Sequence, residues 1–156
     1  MVIAGLSLGA CRQADGPIPT PSQTVQEELV DVSRDLQNVA AASDPQAAKD
    51  LSDDLRKYTP RENARPAVDQ LSQRTAGVLV GVALTEQDAQ RLAHVLWVSV
   101  AARELSERQI ESLQNDVRAL LTSIGVAEEK AQPVAAQVAD VQGVVTDRPR
   151  RWYERY

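Results

Sequence analysis

The chain has 156 residues, 43% hydrophobic and 25% charged, the composition of one ordinary globular domain with appendages. Its formal net charge of -5 argues against a general nucleic-acid binder. Its single Cys excludes an internal disulfide framework or a Cys-cluster zinc site, and its single His excludes a paired-His metal centre. With no Phe and 3% aromatic residues, any core must be built from Val, Leu and Ala.

Residues 1–10 are uncharged and mostly apolar, and they end in Leu8-Gly9-Ala10 directly before Cys11. This run is too short for a transmembrane anchor, which takes ~20 apolar residues. The four residues Leu8-Gly9-Ala10-Cys11 resemble the lipobox of bacterial lipoprotein precursors. The resemblance implies cleavage between Ala10 and Cys11 after a diacylglycerol has been attached to the thiol. It makes residues 1–10 a signal segment and Cys11 the lipid-attachment site. No Lys or Arg precedes the apolar run, and signal peptides usually take roughly 15–30 residues, so a basic segment is expected upstream of Met1. Arg12 is not the Asp that marks inner-membrane retention in enteric-type sorting, so the resemblance favours the outer membrane where one exists.

Residues 11–21 form the next unit. Gly16, Pro17, Pro19 and Pro21 prevent helix and favour extended chain, a tether reaching at most ~35 Å.

From residue 22 to residue 145 the apolar residues recur at spacings of three and four, which predicts an all-α body. The expected architecture is an antiparallel bundle of about five to six amphipathic helices. Val25, Leu29, Val32, Leu36 and Val39 form one stripe, and Ala48, Leu51, Leu55 and Tyr58 a second. A third comprises Val68, Leu71, Thr75, Val78 and Val82. Ile110, Leu113, Val117, Leu120 and Ile124 form another, as do Ala131, Val134, Val138, Val141 and Val145. The stretch Glu86–Arg103 is apolar around most of its circumference and is expected at the bundle centre. Gly77 and Gly81, four apart, are expected to let a neighbouring helix approach closely. Leu92, Leu96, Val100, Leu113, Val117 and Leu120 are expected in the core.

Helix boundaries follow from capping chemistry. Thr24 with Glu27, Thr59 with Glu62, Thr85 with Asp88 and Ser106 with Gln109 are candidate capping pairs. Ser43-Asp44-Pro45 is expected to separate the first two helices, and Pro66 either kinks the third or puts its start near Ala64. Gly125 suits a left-handed helix end. The segments starting at Leu84 and Leu105 look alike and lie 21 residues apart. Leu105-Ser106-Glu107-Arg108-Gln109 also resembles the LTxxQ motif of periplasmic stress chaperones, with Ser in place of Thr. Those proteins are small, helical and envelope-located. Met1 is the only methionine, so the soft Met surface that suits promiscuous binding is missing.

Chemistry is sparse. His94 has Gln90, Arg91, Trp97 and Val98 at its helical neighbour positions, none of them a carboxylate, and is expected to be a partly buried, hydrogen-bonded side chain. There is no Gly-rich phosphate loop and no Gly-x-Ser-x-Gly elbow. No catalytic residue, cofactor or metal is expected. Residues 146–156 differ from the rest: Arg148, Arg150, Arg151 and Arg155 stand against Asp147 and Glu154, a net +2, while residues 11–145 carry -7. Arg148, Arg150, Arg151, Trp152 and Tyr153 are the candidate contacts to lipid or to a protein partner. The other reading, and the one adopted for Trp152, folds the aromatics back as a clasp on a Phe-free bundle. The expectation is a lipid-anchored envelope protein acting through structural or protein–protein contact, with an LTxxQ-type chaperone or sensor as the alternative. Its partners would be the membrane, through the N-terminal lipid, and an envelope protein.

Overall fold

A computed structural model describes residues 23–42, 45–60, 62–102 and 105–146, with side chains from Leu29 to residue 143. Among the described residues the chain is all-α. Six helices occur in the order α1 (Gln23–Ala41), α2 (Ala47–Arg56), α3 (Arg65–Leu79), α4 (Glu86–Ala101), α5 (Glu107–Ser123) and α6 (Glu128–Thr146). A single 3-10 turn, Glu62–Ala64, precedes α3.

Short connections alternate the helix directions. α1 packs on α2 and α4, α3 on α2 and α6, and α5 on α4 and α6. The result is a closed ring, α1–α2–α3–α6–α5–α4, in which every neighbouring pair runs antiparallel. Cross-links fasten it: the Gly81 N–H donates to the Ala40 carbonyl at 2.9 Å, Gln37 Nε2 to the Leu84 carbonyl at 3.4 Å, and Gln114 Nε2 to the Ala135 carbonyl at 3.2 Å.

The core lies inside this ring and is Leu, Val and Ala, as the composition demands. Leu36, Leu51, Leu55, Leu71, Leu79, Leu92, Leu96, Leu113 and Leu121 are its largest fully buried apolar side chains. α4 is the most buried helix of the ring. Ala89, Leu92, Ala93, Val95, Leu96, Val98, Ser99 and Val100 are all buried on it, and it contacts α1, α2, α5 and α6.

Several boundaries obey the capping chemistry. Thr85 accepts from the Asp88 N–H, and Ser106 and Gln109 form a reciprocal capping box at 3.0 and 3.1 Å. Gly125 takes φ +107, and the Val126 and Gly125 amides reach back to the Leu121 and Thr122 carbonyls, closing α5 as a Schellman motif. The similar segments at Leu84 and Leu105 open consecutive antiparallel helices. Thr24, Glu27, Ser43 and Asp44 lie outside the described side chains.

Other expectations need correction. Thr59 does not cap α3: its hydroxyl donates to the Leu55 carbonyl at 3.1 Å and so belongs to the end of α2. α3 opens instead after Ala64, with Pro66 in the first turn, where its missing N–H costs nothing. The glycine pair does not mark a close approach. α3 stops at Leu79, Gly81 takes φ +85 in the turn beyond it, and a Cβ on Gly77 would meet nothing within 4 Å. Tyr58 and Val82 lie past their helix ends and are half-buried. On α5 the buried row is Ile110, Leu113, Val117 and Leu121, while Leu120 sits half-buried at its flank. A 3.6-residue period carried through three turns favours position 121 over 120.

These positions separate under mutation. Leu96→Ala and Leu121→Ala should each cost about 2–5 kcal/mol in urea unfolding, and Leu120→Ala less than about 1.5 kcal/mol.

Candidate functional site

The expected site residues Cys11, Arg148, Arg150, Arg151, Trp152 and Tyr153 all lie outside the described residues. The structure does show where the first and last described helices begin and end. The Ala40–Gly81 and Gln37–Leu84 bonds set α1 and α4 antiparallel, so the start of α1 lies beside the last turn of α4. Gln142 Nε2 donates to the Ser99 carbonyl at 2.6 Å and to the Ala102 carbonyl at 3.4 Å, so the end of α6 lies there too. Residues 23 and 146 therefore flank the same end of α4. α5 also starts at this pole, presenting exposed Glu107 and Arg108, whose charges offset each other.

Among the described residues, two apolar grooves open on the surface. One, at the opposite pole, is lined by Val39, Ala42, Pro45, Ala48, Ala76, Gly77 and Val80. The other runs between α4 and α5 past Arg91, His94, Val95, Asp116, Ala119 and Leu120. His94 stacks on Trp97 one turn on, with ring centroids 6.1 Å apart and planes 22° apart. Burial raises the Asp116 carboxyl above its usual range. The sequence offered no carboxylate near His94 because Asp116 is 22 positions away; only the antiparallel pairing of α4 and α5 brings both into one groove.

A second acidic feature was also invisible in sequence. Asp35 on α1 is 8% exposed and hydrogen-bonds the carboxyl of Asp54 on α2. Two carboxylates cannot share a hydrogen bond without a proton. Burial, the bond to Asp54 and the charges of Asp54, Asp50 and Asp31 push Asp35 up to about 8. Burial works against ionisation of Asp54 as well, but the hydrogen bonds from Asp35 and Lys57 hold it below its ordinary value, with Lys57 Nζ at 2.9 Å. Nearby, Asp69 on α3 receives hydrogen bonds from Ser52 and Arg56 of α2, which outweigh its partial burial and keep it ionised. Only the alignment of i, i+3 and i+4 faces on separate helices could have revealed these partners.

The LTxxQ-like residues are spent locally: Leu105 is buried, and Ser106 and Gln109 form the cap of α5. Among the described residues no three His, Cys, Asp or Glu side chains group as metal ligands, and no helix is long and apolar enough to cross a membrane. No family model matches the chain, and neither a curated protein nor a solved structure matches it.

The Asp35–Asp54 pair predicts a pH dependence with a definite sign. A carboxyl whose folded pKa is raised makes the folded state bind more protons than the unfolded state, so its stabilising effect is present below pH ~4 and lost as pH rises toward 8. Asp54 acts in the opposite direction, losing its contribution as pH falls below the ordinary carboxylate range. Asp35→Asn keeps a donor for Asp54 without a titrating proton. Thermal melts should show it more stable than the parent at pH 8–9 by at least about 1 kcal/mol, roughly 2–4 °C in Tm for a domain of this size.

Proposed function

We propose that the chain is a lipid-anchored helical-bundle protein of the bacterial cell envelope, facing the periplasm and acting by structural or protein–protein contact rather than catalysis. The observation that carries the reading is the sole cysteine standing directly after Leu8-Gly9-Ala10, followed by a Pro-bearing tether and then a folded body. Cys11 is the lipid-attachment residue, and the Arg12 that follows it favours the outer membrane.

The surface supports contact between folded partners over capture of unfolded chains. Among the described residues the large apolar side chains left exposed are Val30 and Val80, at 46% and 59%. A chaperone surface needs a contiguous apolar face, and these two valines do not make one. The LTxxQ-type stress chaperone is kept as a second reading because the Val39–Val80 groove is apolar and open at the pole opposite the chain ends.

Intact-mass analysis of the protein purified from bacterial membranes, expressed behind a basic signal segment, tests the first reading. The expected product begins at Cys11 and carries acyl chains, each buried CH₂ contributing ~0.8 kcal/mol to membrane retention. Cys11→Ser should leave the chain unprocessed or release it from membranes. An unacylated parent mass, or a Cys11→Ser variant of unchanged mature mass that still fractionates with membranes, would overturn the proposal. Binding of unfolded client proteins by the purified bundle would instead favour the chaperone reading.

A further inference from the structure

We propose that the groove between α4 and α5 binds a small organic monocation, an ammonium group on an apolar body, with Asp116 holding the charge and Val95, Ala119 and Leu120 receiving the apolar part. The proposal is independent of lipid anchoring and adds a ligand chemistry to a bundle otherwise read as acting by contact.

The space comes from packing. Of the six seams in the ring, the one between α4 and α5 is the least closely packed among the described residues. Arg91, His94 and Val95 line it from α4, and Asp116, Ala119 and Leu120 from α5. Ala119 contributes only a methyl group, and Leu120 stays half-buried at the flank of the core. The groove they leave measures about 360 Å³, within the range of small-molecule sites.

The charge pattern selects the ligand. Arg91 lies 3.7 Å from Asp88, one turn earlier on α4, so its charge is answered within its own helix. Arg118, two positions after Asp116, is directed to α6, where it reaches Gln132 and Glu128. Asp116 differs from both. Among the described residues no hydrogen bond or ion pair reaches its carboxyl, and burial disfavours its charged form. Asp88 and Asp116 set two negative charges against the one positive charge of Arg91, a net -1 that a monocation complements. A half-buried carboxylate without a partner is costly, and an ammonium supplies it with both hydrogen bonds and the opposite charge. An anion meets a guanidinium already paired and a carboxylate that repels it. A neutral apolar ligand leaves Asp116 unanswered.

The test is an NMR titration of the full chain with hexylammonium, using hexanoate and 1-hexanol as anionic and neutral probes of the same length. Hexylammonium should move the signals of His94, Val95 and Leu120 saturably. It should bind at least about fivefold more tightly than 1-hexanol, with hexanoate weaker still. From butylammonium through octylammonium, binding should tighten about two- to fourfold for each methylene that enters the groove. Signals of Val39 and Ala76, in the uncharged groove, should stay in place at concentrations that saturate the first. Asp116→Asn should reduce hexylammonium binding to the level of 1-hexanol with helicity retained. Leu120→Ala, at a position where the fold loses little, should weaken octylammonium more than butylammonium, and this decides the matter if Asp116→Asn does not fold.

Hexanoate or 1-hexanol binding as tightly as hexylammonium would overturn the proposal, as would unchanged hexylammonium binding by Asp116→Asn. Larger shifts at Val39 and Ala76 than at Val95 and Leu120, no saturable shift at all, or a Leu120→Ala effect independent of chain length would do the same. None of these outcomes bears on acylation of Cys11, which the mass measurement decides separately.

Discussion

The last turn of α4 is enclosed by the bundle, and a helix end leaves its final carbonyls without partners of its own. A buried carbonyl without a donor costs about 1–3 kcal/mol, so a donor must come from another element. Gln142 supplies it: the side chain is fully buried and its amide meets both the Ser99 and Ala102 carbonyls. Together with the Gln114–Ala135 and Gln137–Ala67 bonds, this contact fixes the register of α6, which Val134, Val138 and Val141 alone would leave free to slide along the apolar seam. With α6 pinned, the ring closes through α3 and α5, and residue 146 is committed to the pole where α1 begins.

A core without Phe sets a second constraint. Val, Leu and Ala have limited reach, so every layer of the bundle needs helices close around it, and one helix must be covered on several sides. α4 takes that place because its apolar residues surround it. Polar groups in this interior are satisfied by their own helix or by a carbonyl of another, as Gln137 and Gln142 are. Ser72, Thr75 and Ser99 turn their hydroxyls back to the carbonyls of Val68, Leu71 and Val95. Asp35 differs in that its partner is another acid, so the pair requires a proton.

The same closure bears on function. Burying the stripes of all six helices leaves, among the described residues, Val30 and Val80 as the exposed large apolar side chains, Val80 in the groove beside Val39. The groove lined by Val39, Ala76 and Val80 is the open apolar feature at the pole opposite residues 23 and 146.

Helical periodicity, hydroxyl caps and the glycine stop are local properties, and these were legible in the residues themselves. Thr85, Ser106 and Gly125 do in the structure what their neighbours in sequence predict, because each interaction closes within one turn. The lipobox-like residues are also a local pattern, read directly from the chain. The pairing order of the helices was not legible, since every stripe is apolar and none names its partner. The role of Gly81 went the same way: the spacing from Gly77 suggested packing, while the fold needed a left-handed turn there to carry the chain from α3 into α4. The Asp35–Asp54 bond, the joining of His94 and Asp116 in one groove and the common pole of residues 23 and 146 all depend on contacts between residues distant in sequence. Only the tertiary structure decided them, because antiparallel packing, and not spacing along the chain, sets which faces meet.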